Sequence, residues 1–252
     1  MMKMTLLELV QDILNDLDSD TVNSINDTVE STQVAQIVKT SYMEMMGNRN
    51  WPHQRKVVQL DSSGTTAKPN YLKLPENLKE LSGFKYEGQK VGDTQIKLRD
   101  VKYKHPDEFL NYISSRNSDD PAVVEVVDFG GSKFLIRNDT APQYWTSFDD
   151  VYLVTDSYDA GVDATLQTSK SQCIAYIIPS WSAVDTFVPD LPIDAFPALL
   201  EESKSTAFFV LKQMTNSKAE QKATRQNRWL SRKAWRAHGG VRYSDFGRKS
   251  RR

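Results

Sequence analysis

Cysteine and histidine are scarce in this chain of 252 residues. The single cysteine, Cys173, excludes an intrachain disulfide, and free cysteine is usually buried, so we expect a small core residue here. The three histidines, His53, His105 and His238, lie at predicted junctions or helix ends, where loop and cap roles are commoner than catalysis. The sequence therefore predicts no metal site and no cofactor.

Long apolar runs are also missing. No run reaches the 18 residues of a membrane helix, and Glu8 and Asp12 follow the N-terminus too closely for a signal peptide. We therefore expect a soluble protein that is made in a cytoplasm and has no membrane partner.

Catalytic signatures are absent as well. The sequence has no G-x-S-x-G, G-x-x-x-x-G-K-[ST], G-x-G-x-x-G or H-E-x-x-H. Three pairs of adjacent carboxylates occur, but neighbours in a strand or helix point in different directions, unlike the facing pair of a glycosidase. These pairs are Asp119 with Asp120, Asp149 with Asp150, and Glu201 with Glu202. We therefore predict that the protein has no catalytic residues and is not an enzyme. A cell-wall glycan hydrolase is kept as an alternative, ranked below the DNA-binding alternative given below.

The charge is divided unevenly along the chain, although the net charge is only -1. Residues 218–252 hold 12 of the 32 Lys and Arg residues and two of the 33 acidic ones, which leaves 20 basic and 31 acidic residues in the first 217. An acidic body with a basic end predicts an interaction segment for nucleic acid or for an acidic protein surface.

Helical patterns lie at both ends of the chain. Thr5 and Glu8 form a capping box before a first amphipathic helix, and apolar periodicity resumes from Val34 to Met45, which predicts a helical hairpin. A long helix is predicted from Asp194, its cap, to the Gly239-Gly240 stop. Its predicted buried stripe is Phe196, Leu199, Leu200, Ala207, Val210, Leu211 and Met214.

Short β-forming runs separated by turn residues fill the middle, with a hairpin turn at Gly130-Gly131 and a short helix over 106–114. The fold class is therefore α+β: an α-helical bundle of N- and C-terminal helices with an inserted, mainly antiparallel β domain, sandwich or barrel-like. We place the helical domain at 1–52 plus 190–238, the β domain at 53–189, and an extended basic tail at 239–252.

The basic C-terminal segment carries the most specific signal. Its predicted helix has a basic ridge of Lys218, Lys222, Arg225, Arg232 and Arg236 opposite a narrow seam of Ala219, Ala223, Leu230, Ala234 and Ala237. Aromatic residues among arginines can stack on bases beside phosphates, and they are also typical of protein interfaces. Protein docking, nucleic-acid contact and simple solvation all remain open for this segment.

Both ends of the chain resemble a known family. The segment TLLELVQDILNDLDSDTVNSINDTVESTQVAQIVKTSYMEMMGNRNWP and the later VPDLPIDAFPALLEESKSTAFFVLKQM, with the basic helix after it, are similar to head-to-tail adaptors of short-tailed bacteriophages. This family is also called tail tubular protein A-like or connector ring proteins. The β region carries the least of the resemblance.

The resemblance implies a structural virion protein at the head-tail junction, made in the host cytoplasm. It implies a homo-oligomeric ring, commonly a dodecamer, between the portal protein and the tail nozzle protein, with double-stranded DNA passing through. The portal-binding residues would be Arg225, Trp229, Arg232, Trp235, Arg236, Arg242, Tyr243, Phe246 and Arg248. A DNA-binding accessory module that acts through the same basic segment is the first alternative.

Overall fold

The computed structural model describes residues 3–89, 94–95, 97–161, 170–238 and 241–242, with side chains as far as residue 232. This part of the chain is a mixed α+β structure with five α-helices and a large curled β-sheet. The helices are α1 Leu6–Asp16, α2 Val29–Gly47, α3 Pro106–Ser114, α4 Phe196–Lys212 and α5 Ser217–Arg236. None of the described helices is both long enough and apolar enough to cross a membrane.

Two compact units divide the chain. One, here called the helical unit, consists of Met1–Arg55 and Ile178–Arg252, and the other, the β unit, is Lys56–Ile177. Each has its own buried apolar residues.

The helical unit begins with the predicted capping box. The Glu8 amide donates to Thr5 Oγ1 at 3.2 Å, and the Thr5 amide donates to Glu8 Oε2 at 2.7 Å, which confirms the start of α1. A second reciprocal pair, Thr28 with Ser31, starts α2 five residues before the predicted periodicity. Helices α1, α2 and α4 bury a shared core that includes Leu9, Tyr42 and Leu199.

The predicted single C-terminal helix is wrong, because the chain reverses between α4 and α5. Gln213 adopts the left-handed conformation at φ 53°, and the Met214 amide donates back to the Phe208 carbonyl at 3.2 Å. Asn216 then caps α5 through its Oδ1, which accepts the Ala219 amide at 3.1 Å.

The reversal also corrects the predicted buried stripe of the long helix. Phe196, Leu199 and Ala207 are buried, but Val210 and Met214 are more than half exposed. The predicted cap is corrected too, since α4 begins after Ala195 with no side-chain cap, whereas Pro197 lies in the first turn as expected.

The β unit is built around an eight-stranded sheet of order β1-β10-β4-β5-β8-β9-β3-β2, with a separate β6-β7 hairpin. Its strands are β1 Arg55–Val58, β2 Asp61–Ser62, β3 Tyr71–Lys73, β4 Leu78–Glu87, β5 Leu98–Tyr103, β6 Val123–Val127, β7 Lys133–Arg137, β8 Tyr144–Thr146, β9 Tyr152–Thr155 and β10 Ser171–Ile177. Only the β5-β8 pairing is parallel among the strand registers that the described residues define, so the mainly antiparallel prediction is confirmed.

Neighbouring residues of β3 and β9 enter opposite faces of this sheet, as the two-residue period of a strand requires. Tyr71 and its partner Val154 join a cluster that contains Phe109 of α3 and hairpin side chains. Leu72 and its partner Leu153 join the other cluster, which contains the buried Cys173. The sheet is therefore apolar on both faces.

Two local predictions in the β unit are confirmed. Gly131, at φ 83°, lies in the turn of the β6-β7 hairpin, as predicted. Helix α3 spans Pro106–Ser114, as predicted, and Pro106 is its first residue.

Candidate functional site: the outer face of the C-terminal helix

Helix α5 is held to the helical unit along its alanine seam. Ala219, Ala223 and Leu230 are buried, while Lys218, Lys222 and Arg225 are exposed. Small side chains let the α5 backbone approach α4 closely, and Leu230 adds to the shared core. The predicted seam is confirmed at these three positions, and the side chains of Ala234 and Ala237 lie outside the described residues.

Polar contacts fix the rotation of α5. Arg49, just after α2, donates from Nη2 to the Asn227 carbonyl at 3.3 Å and to Ser231 Oγ at 2.5 Å. Lys222 Nζ lies 2.8 Å from Glu201 Oε1 of α4. Lys222 is thus paired with α4, so it contributes less free charge to the outer face than its place in the predicted ridge suggested.

The outer face of α5 combines guanidinium groups with an indole. Arg225, Arg228, Trp229 and Arg232 are all exposed and recur at spacings of three and four, so they share one face of the helix. We call these four residues the α5 ridge. They border a shallow surface groove together with Ser217, Glu220, Gln221 and Thr224.

Arg228 was not among the contact residues predicted from the sequence. The 3.6-residue period of the helix was the signal, since Arg228 lies one turn before Arg232 and borders the same groove.

This arrangement suits recognition of a surface that is both anionic and apolar. Arginine provides planar donors for carboxylate or phosphate oxygens, and an exposed tryptophan provides a large apolar surface. Trp229 is half exposed, so an approaching partner could bury it.

The other predicted contact residues lie at the end of α5 and beyond it in the sequence. Trp235 and Arg236 belong to α5 by their backbone, but their side chains lie outside the described residues. Arg242 lies in β12 Val241–Arg242, which pairs with β11 Ala237–His238. Ala237 and His238 are therefore strand rather than helix as we predicted, while Tyr243, Phe246 and Arg248 lie outside the described residues.

Titratable side chains also lie between the helices of the helical unit. Lys204 of α4 is largely buried and contacts Asp12 at 2.9 Å and Asp16 at 2.7 Å on α1. Burial acts to lower the pKa of Lys204, but its hydrogen bonds to the two carboxylates outweigh burial and raise that pKa. Glu202 has a raised pKa, first because of burial and then because of Glu44 and Glu220.

The other titratable candidates have local structural contacts. Asp149 Oδ1 accepts the amides of Val151 and Tyr152, and Asp120 Oδ1 accepts that of Ala122, so these carboxylates stabilise turns. His53 Nε2 lies 2.9 Å from the Asp190 carbonyl.

Cys173 is fully buried as predicted, and burial raises its pKa to about 12. The described residues contain no group of three or more His, Cys, Asp or Glu side chains placed to hold a metal ion.

An aromatic cluster in the β unit was not anticipated from the sequence. Phe129 of the hairpin turn is exposed and stacks on Tyr152 with ring centroids 4.8 Å apart. Lys68 Nζ lies 3.3 Å from the centroid of the Phe129 ring. Tyr71 donates to Asp128 Oδ1 at 2.7 Å, and burial, then this carboxylate, raises the pKa of Tyr71. Nothing in the local sequence pairs these residues, because they come from three separate segments.

Two outward-facing surfaces therefore stand out in the described residues, the α5 ridge and the aromatic cluster around Phe129. Comparison of the chain with protein-family models gives no match, and comparison with curated proteins gives none either.

Proposed function

We propose that this protein is a head-to-tail adaptor subunit of a short-tailed bacteriophage, a structural virion protein without enzymatic activity. In this proposal its copies form a ring between the portal protein and the tail nozzle protein, commonly twelve copies by the resemblance described above. The terminal helices form the bundle of each subunit, and the β domain is inserted into it.

The observation that carries the proposal is the α5 ridge. Its arginines and its tryptophan face outward from a helix whose opposite side is fixed by Ala219, Ala223 and Leu230. A rigid helix that presents a basic and aromatic face can dock into an acidic, apolar recess of a partner with little loss of conformational entropy. We assign the portal protein as that partner, with the basic segment 239–252 adding a second contact. The tail predicted as extended from residue 239 is corrected at Val241–Arg242, which pairs with Ala237–His238.

The β unit supplies a candidate surface for the second partner, the nozzle protein. Exposed Phe129 and its neighbours Lys68 and Tyr152 form an aromatic surface that could contact the nozzle protein. Its composition matches the aromatic enrichment of protein interfaces.

The acidic body fits passage of DNA through a ring. A basic lining would bind the phosphate backbone strongly and without sequence preference, whereas an acidic lining lets the duplex slide. The 31 acidic and 20 basic residues that precede residue 218 suit such a lining.

A binding experiment with the portal protein of the same phage tests the proposal. The triple variant R225A/W229A/R232A should bind the portal at least about tenfold more weakly, since interface tryptophan and arginine carry much of the binding free energy. Q33A/Q36A changes two exposed residues of α2 that do not border this groove, so it is the control and should bind almost as the unchanged protein does. Equal portal binding by the triple variant and the control would contradict the assignment of the α5 ridge.

The same ridge also favours a second candidate function, a DNA-binding accessory module. Guanidinium groups beside an exposed indole can neutralise phosphates and stack on bases. In that case the unchanged protein should shift duplex DNA with a steep salt dependence, and the triple variant should bind DNA more weakly and with a smaller salt slope. Portal binding without any DNA shift would reject this second candidate.

A further inference from the structure

We propose that neighbouring copies of this protein bind each other through two different surfaces of the helical unit, the exposed end of α4 and a pocket beside α1. The inference rests on the proposed ring and names the surfaces that would form it. The occupant of the pocket is a second copy of this chain.

The first surface, here called the α4-end surface, is apolar and exposed. Phe209, Val210 and Met214 are 64%, 56% and 64% exposed and lie within one stretch of six residues. The last turn of α4 and the reversal at Gln213 hold them in place. Such large apolar side chains in one stretch typically mark a contact surface.

The second surface, here called the α1 pocket, has an apolar floor and an acidic rim. Met4, Leu14 and Val22 contribute apolar side chains, while Glu8, Asp12 and Asp20 contribute carboxylates. The pocket is framed by α1 and by the segment that follows it, where Gln11 Nε2 donates to the Val22 carbonyl at 2.7 Å. It is therefore a built recess that an apolar side chain could enter.

The charges of the two surfaces are complementary. Residues 205–219, around the α4-end surface, contain Lys212 and Lys218 and no acidic residue. Residues 3–23, around the α1 pocket, contain five acidic residues and only Lys3 as a basic one. Lys204 contacts two of those carboxylates, so a single ammonium group leaves net negative charge at the pocket.

The two surfaces lie on different parts of the helical unit. Lys204 is on the side of α4 that contacts α1, whereas Phe209 and Val210 are on the solvent side of the same helix. One copy could therefore offer its α4-end surface to one neighbour and its α1 pocket to another. A contact between unlike surfaces repeats from copy to copy and closes into a ring when the rotation permits.

Paired variants test this head-to-tail contact by analytical ultracentrifugation and native mass spectrometry, alone and on the portal. F209S/M214S alters the α4-end surface and N15K/D20K alters the rim of the α1 pocket, all at exposed positions. V29S, which changes an exposed apolar residue outside both surfaces, is the matched control. Each double variant should weaken self-association by at least about tenfold, and the control should not.

Mixing the two double variants gives the sharper result. The first keeps an intact pocket and the second an intact α4-end surface, so the mixture should form a heterodimer that neither variant forms alone. A mixture that stays monomeric, variants that assemble like V29S, or an unchanged protein that stays monomeric both alone and on the portal would each overturn the inference.

Portal binding is measured on the same samples, because it reports on α5 instead. If the double variants bind the portal and also self-associate as the unchanged protein does, the head-to-tail contact is rejected and the adaptor proposal stands. If the unchanged protein does not bind the portal, the adaptor proposal itself is rejected.

Discussion

Arg116 and Asp156 form an ion pair inside the β unit, with Arg116 Nη2 2.9 Å from Asp156 Oδ2 and side chains only 11% and 3% exposed. Arg116 also donates from Nη1 to the carbonyls of Leu135 and Asp156, and Asp156 Oδ1 accepts the amides of Gln143 and Tyr144. The pair thus connects the end of α3 to β7, β8 and the residue after β9.

Replacing Asp156 with alanine should destabilise the protein by about 3–5 kcal/mol, because the mostly buried Arg116 loses its only carboxylate contact in the described residues and two backbone amides lose their acceptor. The exposed pair of Arg137 and Asp139, at 2.8 Å, is the control, and D139A should destabilise the protein much less. Urea unfolding followed by circular dichroism measures both. Equal losses would show that burial does not set the strength of these pairs.

Lys204 gives a second test, in the helical unit. K204A should leave Asp12 and Asp16 close together without a cation. Because these carboxylates are 39% and 45% exposed, water solvates part of their charge, and we expect the free energy of unfolding to fall by about 1–2 kcal/mol. K218A, which changes an exposed lysine of the same unit, is the control and should cost less than about 0.5 kcal/mol. Thermal unfolding of both variants compares them, and a loss for K204A as small as that for K218A would contradict the assigned role.

Glu202 predicts a pH dependence. Its pKa in the folded protein is raised above the ordinary value of 4.5 by burial and by Glu44 and Glu220. Ionised Glu202 therefore destabilises the fold above that raised pKa, and the penalty disappears as the pH falls through it toward 4.5.

E202Q should therefore raise the Tm at pH 7, and its advantage should shrink as the pH falls. E201Q, which removes the contact with Lys222 instead, should not raise the Tm at pH 7. Melting curves from pH 4 to pH 8 would reveal the difference, and an advantage of E202Q that is the same at every pH would be inconsistent with this cause.

Cys173 should be unreactive in the folded protein. Its side chain is fully buried and burial raises its pKa to about 12, so almost no thiolate exists at pH 8. Ellman's reagent should react only after unfolding, and the rate in partial denaturant should follow the unfolded fraction. Fast labelling of the native protein would contradict the position of Cys173 in the sheet core.

Gly131 tests the hairpin turn. G131A should destabilise by about 1–2 kcal/mol, because φ is 83° and a Cβ is disfavoured in that region. G83A is the control within β4, where an added Cβ has no atom within 4 Å, and it should be neutral or slightly stabilising. Denaturant midpoints compare the two, and equal midpoints would contradict a requirement for glycine at this turn.

Local signals predicted the elements whose partners are close in sequence. Thr5 with Glu8, Pro106 and Gly131 each mark a cap or turn within a few residues, and the structure places each as expected. The α4-α5 reversal was not predicted because a left-handed residue at a helix end is usually glycine, and here it is Gln213. Asn216, a residue type that often caps helices, was the one local signal that a new helix begins there.

Contacts between distant segments could not be predicted in this way. The parallel pairing of β5 with β8 and the Arg116–Asp156 pair join residues about 40 positions apart, and no local pattern connects them. At the candidate site, helical periodicity predicted the buried seam and most of the α5 ridge. It could not predict that Glu201 pairs with Lys222, because that contact depends on the reversal.

The entry and exit of the β unit are neighbours in its sheet. The Leu60 amide, two residues past β1, donates to Ser171 Oγ at the start of β10, so these adjacent strands run in opposite directions. The first residues of β1 therefore lie beside the last residues of β10, about one strand spacing apart. The residues between the start of β1 and the end of β10 could therefore be replaced, lengthened or deleted, and a short linker would be enough to reconnect the helices before and after them.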